Sequence, residues 1–349
     1  MTALQPQQIL VTGGAGFIGA SVVRKLRERY PQARIRVMHL PQENLQNLAG
    51  MTGIELVSGD VTEPAQVDAA VVGCDVVFHL AAIYAVWLPD MSLMRRVNVD
   101  GTRNVLSACE RHGVRRVVYT SSAVCFCGQG LDVVSTEESP FSMRGQAYAE
   151  SKHASHRVAE TFAKRGLDVV IVCPVGPFGP GDVAPTPTGR IILEIFGMPW
   201  PVALRSRMNL IDVRDCAMGH VLALERGRSG ESYLLGGENY THAEVVSRVL
   251  ALCGDHRRVL EVPPAAFMPV AAALTFAARF TRKPPFVTPS DLQQARNGLV
   301  CDAAKARREL GLTTRPLDDT LRDALAWFVQ HGYITDARAA GVVAATGPT

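Results

Sequence analysis

Tyr148 and Lys152 stand four residues apart in the stretch YAESK, inside a helical pattern running from Ala147 to Arg165, so their side chains share one helical face. That pairing suits proton transfer. A phenol near its free pKa of about 10 is a weak base at neutral pH. An ammonium beside it favours the phenolate and brings the group into range. Alone the spacing says little, because any helix can place Tyr and Lys this way. Ser121 and Ser122 strengthen it. They close the β-branched run RRVVYTSS (115–122), with Ser122 lying 26 residues before Tyr148, which delivers both hydroxyls to the carboxyl end of a strand. There Ser122 can hydrogen-bond a substrate oxygen and share the charge that develops on it.

Such residues need a partner to react with and a scaffold to hold them. ILVTGGAGFIGASVVRKL (9–26) runs from an apolar stretch through glycines into a helical pattern. Gly13 permits a tight turn, Gly16 lets backbone approach a pyrophosphate, and Gly19 lets the helix sit close to the sheet. Gly14, Phe17 and Ile18 complete the loop, and the helix N-terminus offers its free N–H groups to an anion. This predicts a dinucleotide site. Asp60, ending LVSGD, reaches the adenine edge or caps a turn, and both readings stay open. A ribose-binding carboxylate is expected ~20 residues past the glycines. The sequence there is VMHLPQEN, with His39 and Leu40 in place of an acid. With nothing to repel a 2′-phosphate and with Arg34 and Arg36 nearby, NADP(H) is expected slightly ahead of NAD(H).

RIRVMHL (34–40), IELVSG (54–59), DVVFHLAA (75–82), RRVVYTSS and DVVIVCP (168–174) read as buried strands, alternating with helix-length segments such as 90–112 and 147–165. That alternation predicts an α/β fold, a Rossmann-type doubly wound parallel sheet with a smaller C-terminal α/β substrate-binding lobe. The dinucleotide-binding domain is placed at 1–173 and the lobe mainly at 174–335. Segments within 208–240, including SYLLGG, are candidates to rejoin the sheet. CPVGPFGPGDVAPTPTGR (173–190), with five prolines and four glycines, reads as a long ordered loop. Residues 336–349 read as a loose tail.

The chain has 349 residues, 47% hydrophobic and 20% charged, with a formal net charge of +3. No long basic run appears, which excludes a nucleic-acid surface. The start lacks the pattern of a signal peptide, and eight scattered cysteines fit neither a zinc site nor a disulfide framework, so no metal is expected and a cytoplasmic setting is. Phe267–Phe280 is too short to cross a bilayer. It reads first as a core or pocket-lining helix. Its flanks Arg279, Arg282 and Lys283 leave peripheral membrane contact open.

TGGAGFIG, HLAA (79–82), NVDGTRNV (98–105), TSSA (120–123) and YAESK, in this order, resemble the extended short-chain dehydrogenase/reductase (NAD-dependent epimerase/dehydratase) family. The resemblance continues through NLIDVRDCAMGHVLALE and DAAKARREL. It implies that Tyr148 is the general acid/base, that Lys152 holds the nicotinamide ribose, that Ser122 is the catalytic hydroxyl, and that Asn98 supports a water relay. It further implies that Val61, Leu80, Ala81 and Ala82 line the adenosine side, with Pro174, Val175 and Phe178 near the nicotinamide. A homodimer through helices near 90–112 and 147–165 is also implied.

Dehydratases of this family usually carry an acidic pair after the catalytic hydroxyl. Here Ala123 and Val124 follow Ser122, so dehydration is not expected. Tyr84, Trp87, Leu88, Phe126 and Phe178 suggest an apolar substrate pocket. Arg190, Arg205, Arg207 and Arg296 are the candidates for sugar-nucleotide phosphates, and Asn209 is a further candidate substrate contact. AIYAVWLPD, PTPTGR and LALERGRSGESYLLGGEN resemble the hopanoid-associated epimerase-like group, near dihydroflavonol reductases and 3β-hydroxysteroid dehydrogenases. The expectation is an NAD(P)-dependent oxidoreductase acting on a secondary alcohol or ketone, with a nucleotide-sugar epimerase as the alternative and a non-catalytic cofactor sensor behind both.

Overall fold

The β-branched runs become strands where the pattern places them. They are β1 (Gln8–Thr12), β2 (Arg34–His39), β3 (Ile54–Ser58), β4 (Val76–His79), β5 (Arg116–Thr120) and β6 (Val169–Pro174). The structure is a computed structural model that describes residues 5–85, 87–197, 200–336 and 339. The expected loose tail falls outside them apart from Asp336 and Ala339. Helices follow the strands: α1 (Phe17–Arg29), α2 (Pro64–Val71), α3 (Ser92–Arg95), α4 (Thr102–Arg111) and α5 (Ala147–Lys164). Between α3 and α4 a π-helical turn, Arg96–Gly101, carries Asn98. Such insertions re-aim side chains and recur at functional sites.

The second half adds β7 (Pro177–Phe178), α6 (Pro187–Gly197), β8 (Val202–Leu204), β9 (Arg207–Asp212), α7 (Val213–Arg226), β10 (Ser232–Leu235) and β11 (Glu238–Thr241). It ends with α8 (His242–Leu252), β12 (Leu260–Val262), α9 (Met268–Thr281), α10 (Pro289–Asn297) and α11 (Leu317–Gln330). The final PTGR of the proline-rich stretch opens α6 instead of continuing the loop, because proline is tolerated in a first helical turn.

Seven strands form one parallel sheet in the order β10-β6-β5-β4-β1-β2-β3. Ile9, Val11, Val76, Phe78, Val118 and Val170 pack on the face covered by α1 and α7. Leu10, Val77, Val117, Val169 and Ile171 pack on the other face with Val105, Leu106 and Phe162 of α4 and α5. One strand departs from the buried pattern. β3 is the sheet edge, and its Leu56 is largely exposed. SYLLGG does rejoin the sheet as β10, beside β6, whereas β9 and β11 belong to a separate three-stranded sheet with β7. That small sheet, a two-stranded β8–β12 pair and helices α6, α8 and α11 enclose a second core around Phe178, Leu210, Val249, Leu321 and Phe328.

The two cores are tied together by charge at the start of α7. Asp212 caps that helix through the Arg214 N–H, and Arg214 also bridges to Asp323 on α11. Arg315 grips Asp215 at 2.7 Å. The strand order reverses direction between β1 and β4, and the crevice outside their carboxyl ends is where a ligand belongs in such a sheet.

Candidate active site

A cleft of about 830 Å³ opens at that reversal and runs from the glycine loop to the small lobe. Gly13 has φ +67°, and a Cβ there would lie 2.7 Å from the Ala81 nitrogen. A Cβ on Gly19 would lie 2.1 Å from the Gly13 oxygen. Gly16 caps α1 with no side-chain bond, leaving the first N–H groups of the helix facing the cleft. This cradle fits a dinucleotide pyrophosphate, where α1's dipole favours an anion.

Gly13, Gly16, Phe17, Ile18, Gly19, His39, Asp60, Val61, Leu80, Ala81, Ala82 and Pro174 all line the cleft. Two residues of the expected cofactor set do not. Gly14 is packed beneath the loop against Val37, and Val175 is fully buried in the core. Asp60 lines the cleft and caps a turn, its Oδ1 accepting the Thr62 N–H at 2.8 Å. Arg36 points away from the cleft to Glu55 and to the carbonyls of Ala70 and Val72. Arg34 opens β2 at its amino end, opposite the ligand edge. Sequence reasoning missed Glu43, which lines the cleft near His39 and accepts the Leu40 N–H at 3.0 Å.

Below the loop, His79 is fully buried between Thr12 Oγ1 at 2.8 Å and Thr102 Oγ1 at 3.0 Å. Burial drives its pKa down to about 3, so it is a neutral brace between β1, β4 and α4.

Ser122, Tyr148 and Lys152 come together on the cleft wall. Lys152 Nζ donates to the Thr120 carbonyl at 2.9 Å and to the Tyr119 hydroxyl at 3.4 Å. Tyr119 in turn donates to Ser155 Oγ at 2.7 Å. Burial lowers the Lys152 pKa to about 8. Burial pushes the Tyr148 phenol up, and a hydrogen bond with Ser122 opposes that rise. A protonated phenol at neutral pH is a general acid in waiting. Ser121 is engaged elsewhere, 2.8 Å from His156 Nδ1 and 3.4 Å from Cys125 Sγ, which leaves Ser122 to face a substrate.

Asn98 donates to the Ile83 carbonyl and Ser151 Oγ, each at 3.0 Å, and accepts the Ile83 N–H at 2.7 Å. These bonds pin the loop after β4 to α5. The Lys152 value sets a pH dependence. Its ammonium is present below about 8 and is lost above that value. The kcat/KM for carbonyl reduction should therefore fall as pH rises through about 8, with the slope of one proton. A profile that stays level through that range would contradict the assignment.

Of the expected substrate residues, Tyr84, Arg190 and Asn209 line the cleft, and the Tyr84 ring lies 4.7 Å from that of Tyr148. Phe178 is instead buried in the second core, Phe126 packs edge-on to His156, and Trp87 is half-buried away from the lining. Residues from later in the chain complete the wall, among them Ile191, Glu194, Met208, Val246, Phe286 and Asp291. No motif marks these positions. They come from four separate elements and one loop that only the fold brings together. Among the described residues there is no cluster of metal-ligating side chains, and no helix long and apolar enough to cross a membrane.

The profile of the NAD dependent epimerase/dehydratase family matches residues 9–236. A Synechocystis protein named after dihydroflavonol 4-reductase is 38% identical over 93% of this chain and 95% of its own. Sterol demethylase protein B of Methylococcus capsulatus is 32% identical over 93% of this chain and 99% of its own. Among solved structures, a nucleoside-diphosphate-sugar epimerase from Pseudomonas aeruginosa is similar with a TM-score of 0.74 and 29% identity, over 94% of this chain and 99% of that one. With the glycine cradle and the Ser-Tyr-Lys wall in place, the chain belongs to the NAD-dependent epimerase/dehydratase family of extended short-chain dehydrogenases/reductases and is an NAD(P)-dependent enzyme.

Proposed function

We propose that this enzyme works in the cytoplasm and transfers hydride between a nicotinamide dinucleotide and a secondary alcohol or ketone of a largely apolar substrate. The observation that carries this reading is the wall of the cleft's substrate half. Tyr84, Leu93, Ile191, Ile195, Met208 and Phe286 dominate it. Its arginines do not stand as a pair for a diphosphate, which wants convergent, bidentate cations. Arg190 is offset by Glu194, and Arg207 donates to the Leu131 carbonyl and to Asp132.

Bound in the cleft, the dinucleotide supplies hydride from nicotinamide C4. In the reducing direction Ser122 donates a hydrogen bond to the substrate carbonyl oxygen. Tyr148 passes its phenolic proton to that oxygen as negative charge develops there. The Lys152 ammonium, on the same face of α5, favours the phenolate that remains. Asn98 acts by holding the loop that carries Tyr84 against α5.

We take NAD as the preferred cofactor, which reverses the expectation from sequence. That expectation rested on Arg34 and Arg36, and the carboxylate in this part of the cleft, Glu43, would repel a 2′-phosphate. Glu43→Gln should narrow the NAD-over-NADP affinity ratio measured by titration, and a wild-type preference for NADP would refute the choice. A homodimer through α4 and α5 accompanies this reading, and sedimentation equilibrium should return twice the chain mass.

The second reading, an NAD-dependent sugar epimerase, is favoured by the exposed Arg190 on the cleft wall. Thermal shift with NAD, NADP, UDP and dTDP at equal concentration separates the two readings. Ligand at a hundred times Kd stabilises by about 2.7 kcal/mol. Stabilisation by a dinucleotide but by neither nucleoside diphosphate is the expected result, and a clear shift with UDP or dTDP would favour the epimerase.

A further inference from the structure

The segment 267–280, expected to be a core or pocket-lining helix, lines the cleft at Phe267 but keeps little of its length in the core. Among the described side chains of α9, Ala271 and Ala278 are buried, while Phe276 is 60% and Phe280 75% exposed, and Val270 and Leu274 also face outward. Leu274 and Phe276 point about 160° apart at 3.6 residues per turn, and both are exposed. A helix that fits a groove in a partner protein shows one apolar stripe of roughly 100°. This one is apolar over more than half its circumference. Phe276 and Phe280 pack edge to face with ring centroids 5.4 Å apart, forming an aromatic ridge at its outer end.

Along the segment that holds α9 the charge has one sign. No acidic residue stands between Glu261 and Asp291, while Arg279, Arg282 and Lys283 all lie within that interval. Arg282 and Lys283 are exposed just past the ridge. At 14 residues the helix is about 21 Å long, shorter than the ~30 Å hydrocarbon core of a bilayer. The cleft also reaches this surface, because Phe267, Pro285, Phe286 and Val287, which flank α9 on both sides in sequence, line it.

We propose that α9 is a membrane-docking element. It lies in the headgroup region of an anionic phospholipid surface, with Phe276 and Phe280 in the acyl boundary and Arg282 and Lys283 at the phosphates. The mouth of the cleft then faces the bilayer, and an apolar ketone or alcohol passes between membrane and active site without crossing water. The delivery role rests on the proposed apolar substrate. The docking itself does not.

The test is flotation of the full chain with vesicles of equal parts phosphatidylcholine and phosphatidylglycerol, against pure phosphatidylcholine. Wild type should float with the anionic vesicles and be released by high salt. Phe276→Asp/Phe280→Asp, at two exposed positions, should keep the wild-type Tm and partition about tenfold more weakly. Arg282→Glu/Lys283→Glu should lose the preference for anionic lipid. Failure of wild type to float, or unchanged flotation of the aspartate pair, would overturn the proposal. If the aspartate pair instead halved the mass measured by light scattering while wild type ignored vesicles, α9 would be a self-association face and the proposal would fall. Flotation needs no turnover, so it stands or fails separately from the substrate reading.

Discussion

Replacing Tyr148 by Phe should lower kcat for ketone reduction about 10²–10⁴-fold, the usual range for losing a positioned general acid, while NAD binding stays close to wild type. The phenol sits on the cleft wall that Ser122 also lines, beside the ring of Tyr84. Burial keeps it protonated at neutral pH. Phenylalanine keeps the ring packing and removes the one proton that the carbonyl oxygen needs. Steady-state turnover together with NAD titration reads both parts. Retained turnover in the variant would remove Tyr148 from the chemistry, and lost NAD binding would mean that the substitution had acted through structure.

Gly19→Ala should abolish dinucleotide binding and destabilise the chain by about 1–3 kcal/mol, the usual cost of forcing an atom into a packed site. The added Cβ would meet the Gly13 oxygen at 2.1 Å and the Gly14 Cα at 2.8 Å. Both are backbone atoms of the loop that would hold the pyrophosphate, so neither can swing aside. Gly16→Ala is the control. Its Cβ would meet only the Gly13 oxygen, at 3.4 Å, and its φ of −69° suits any residue. Its stability should stay within about 0.5 kcal/mol of wild type. Melting temperatures of the two variants, with and without NAD, decide the matter. A Gly19→Ala protein as stable and as responsive to NAD as wild type would contradict the account of the loop.

The large sheet was legible because its strands are buried on both faces and so read as continuous β-branched runs, such as VVIVC in β6. That Ser122, Tyr148 and Lys152 meet at one cleft was legible for a related reason. Tyr148 and Lys152 share a helix, and Ser122 lies two residues past the end of β5, so the local pattern already places them near one sheet edge. The substrate wall was not legible. Met208, Val246, Phe286 and Asp291 meet only through the packing of the small lobe, and nothing in their local sequence marks them. The aromatics chosen near the cleft show the limit of residue type as a guide. Phe178 fills the second core, while Tyr84 faces Tyr148. The α9 segment shows a further limit. Its apolar composition alone does not tell that Phe276 and Phe280 stay exposed while Ala271 and Ala278 are buried.

Net hydride transfer to an apolar carbonyl can be followed in one labelling experiment. The enzyme is incubated with NADH deuterated at the transferred C4 position and a bulky alicyclic ketone, and the product is read by mass spectrometry and NMR. One deuterium on the new carbinol carbon and an equal amount of NAD released are expected, with no reaction of UDP- or dTDP-sugars. Inversion of a nucleotide sugar with no net change in NADH, and no label in any ketone product, would contradict it.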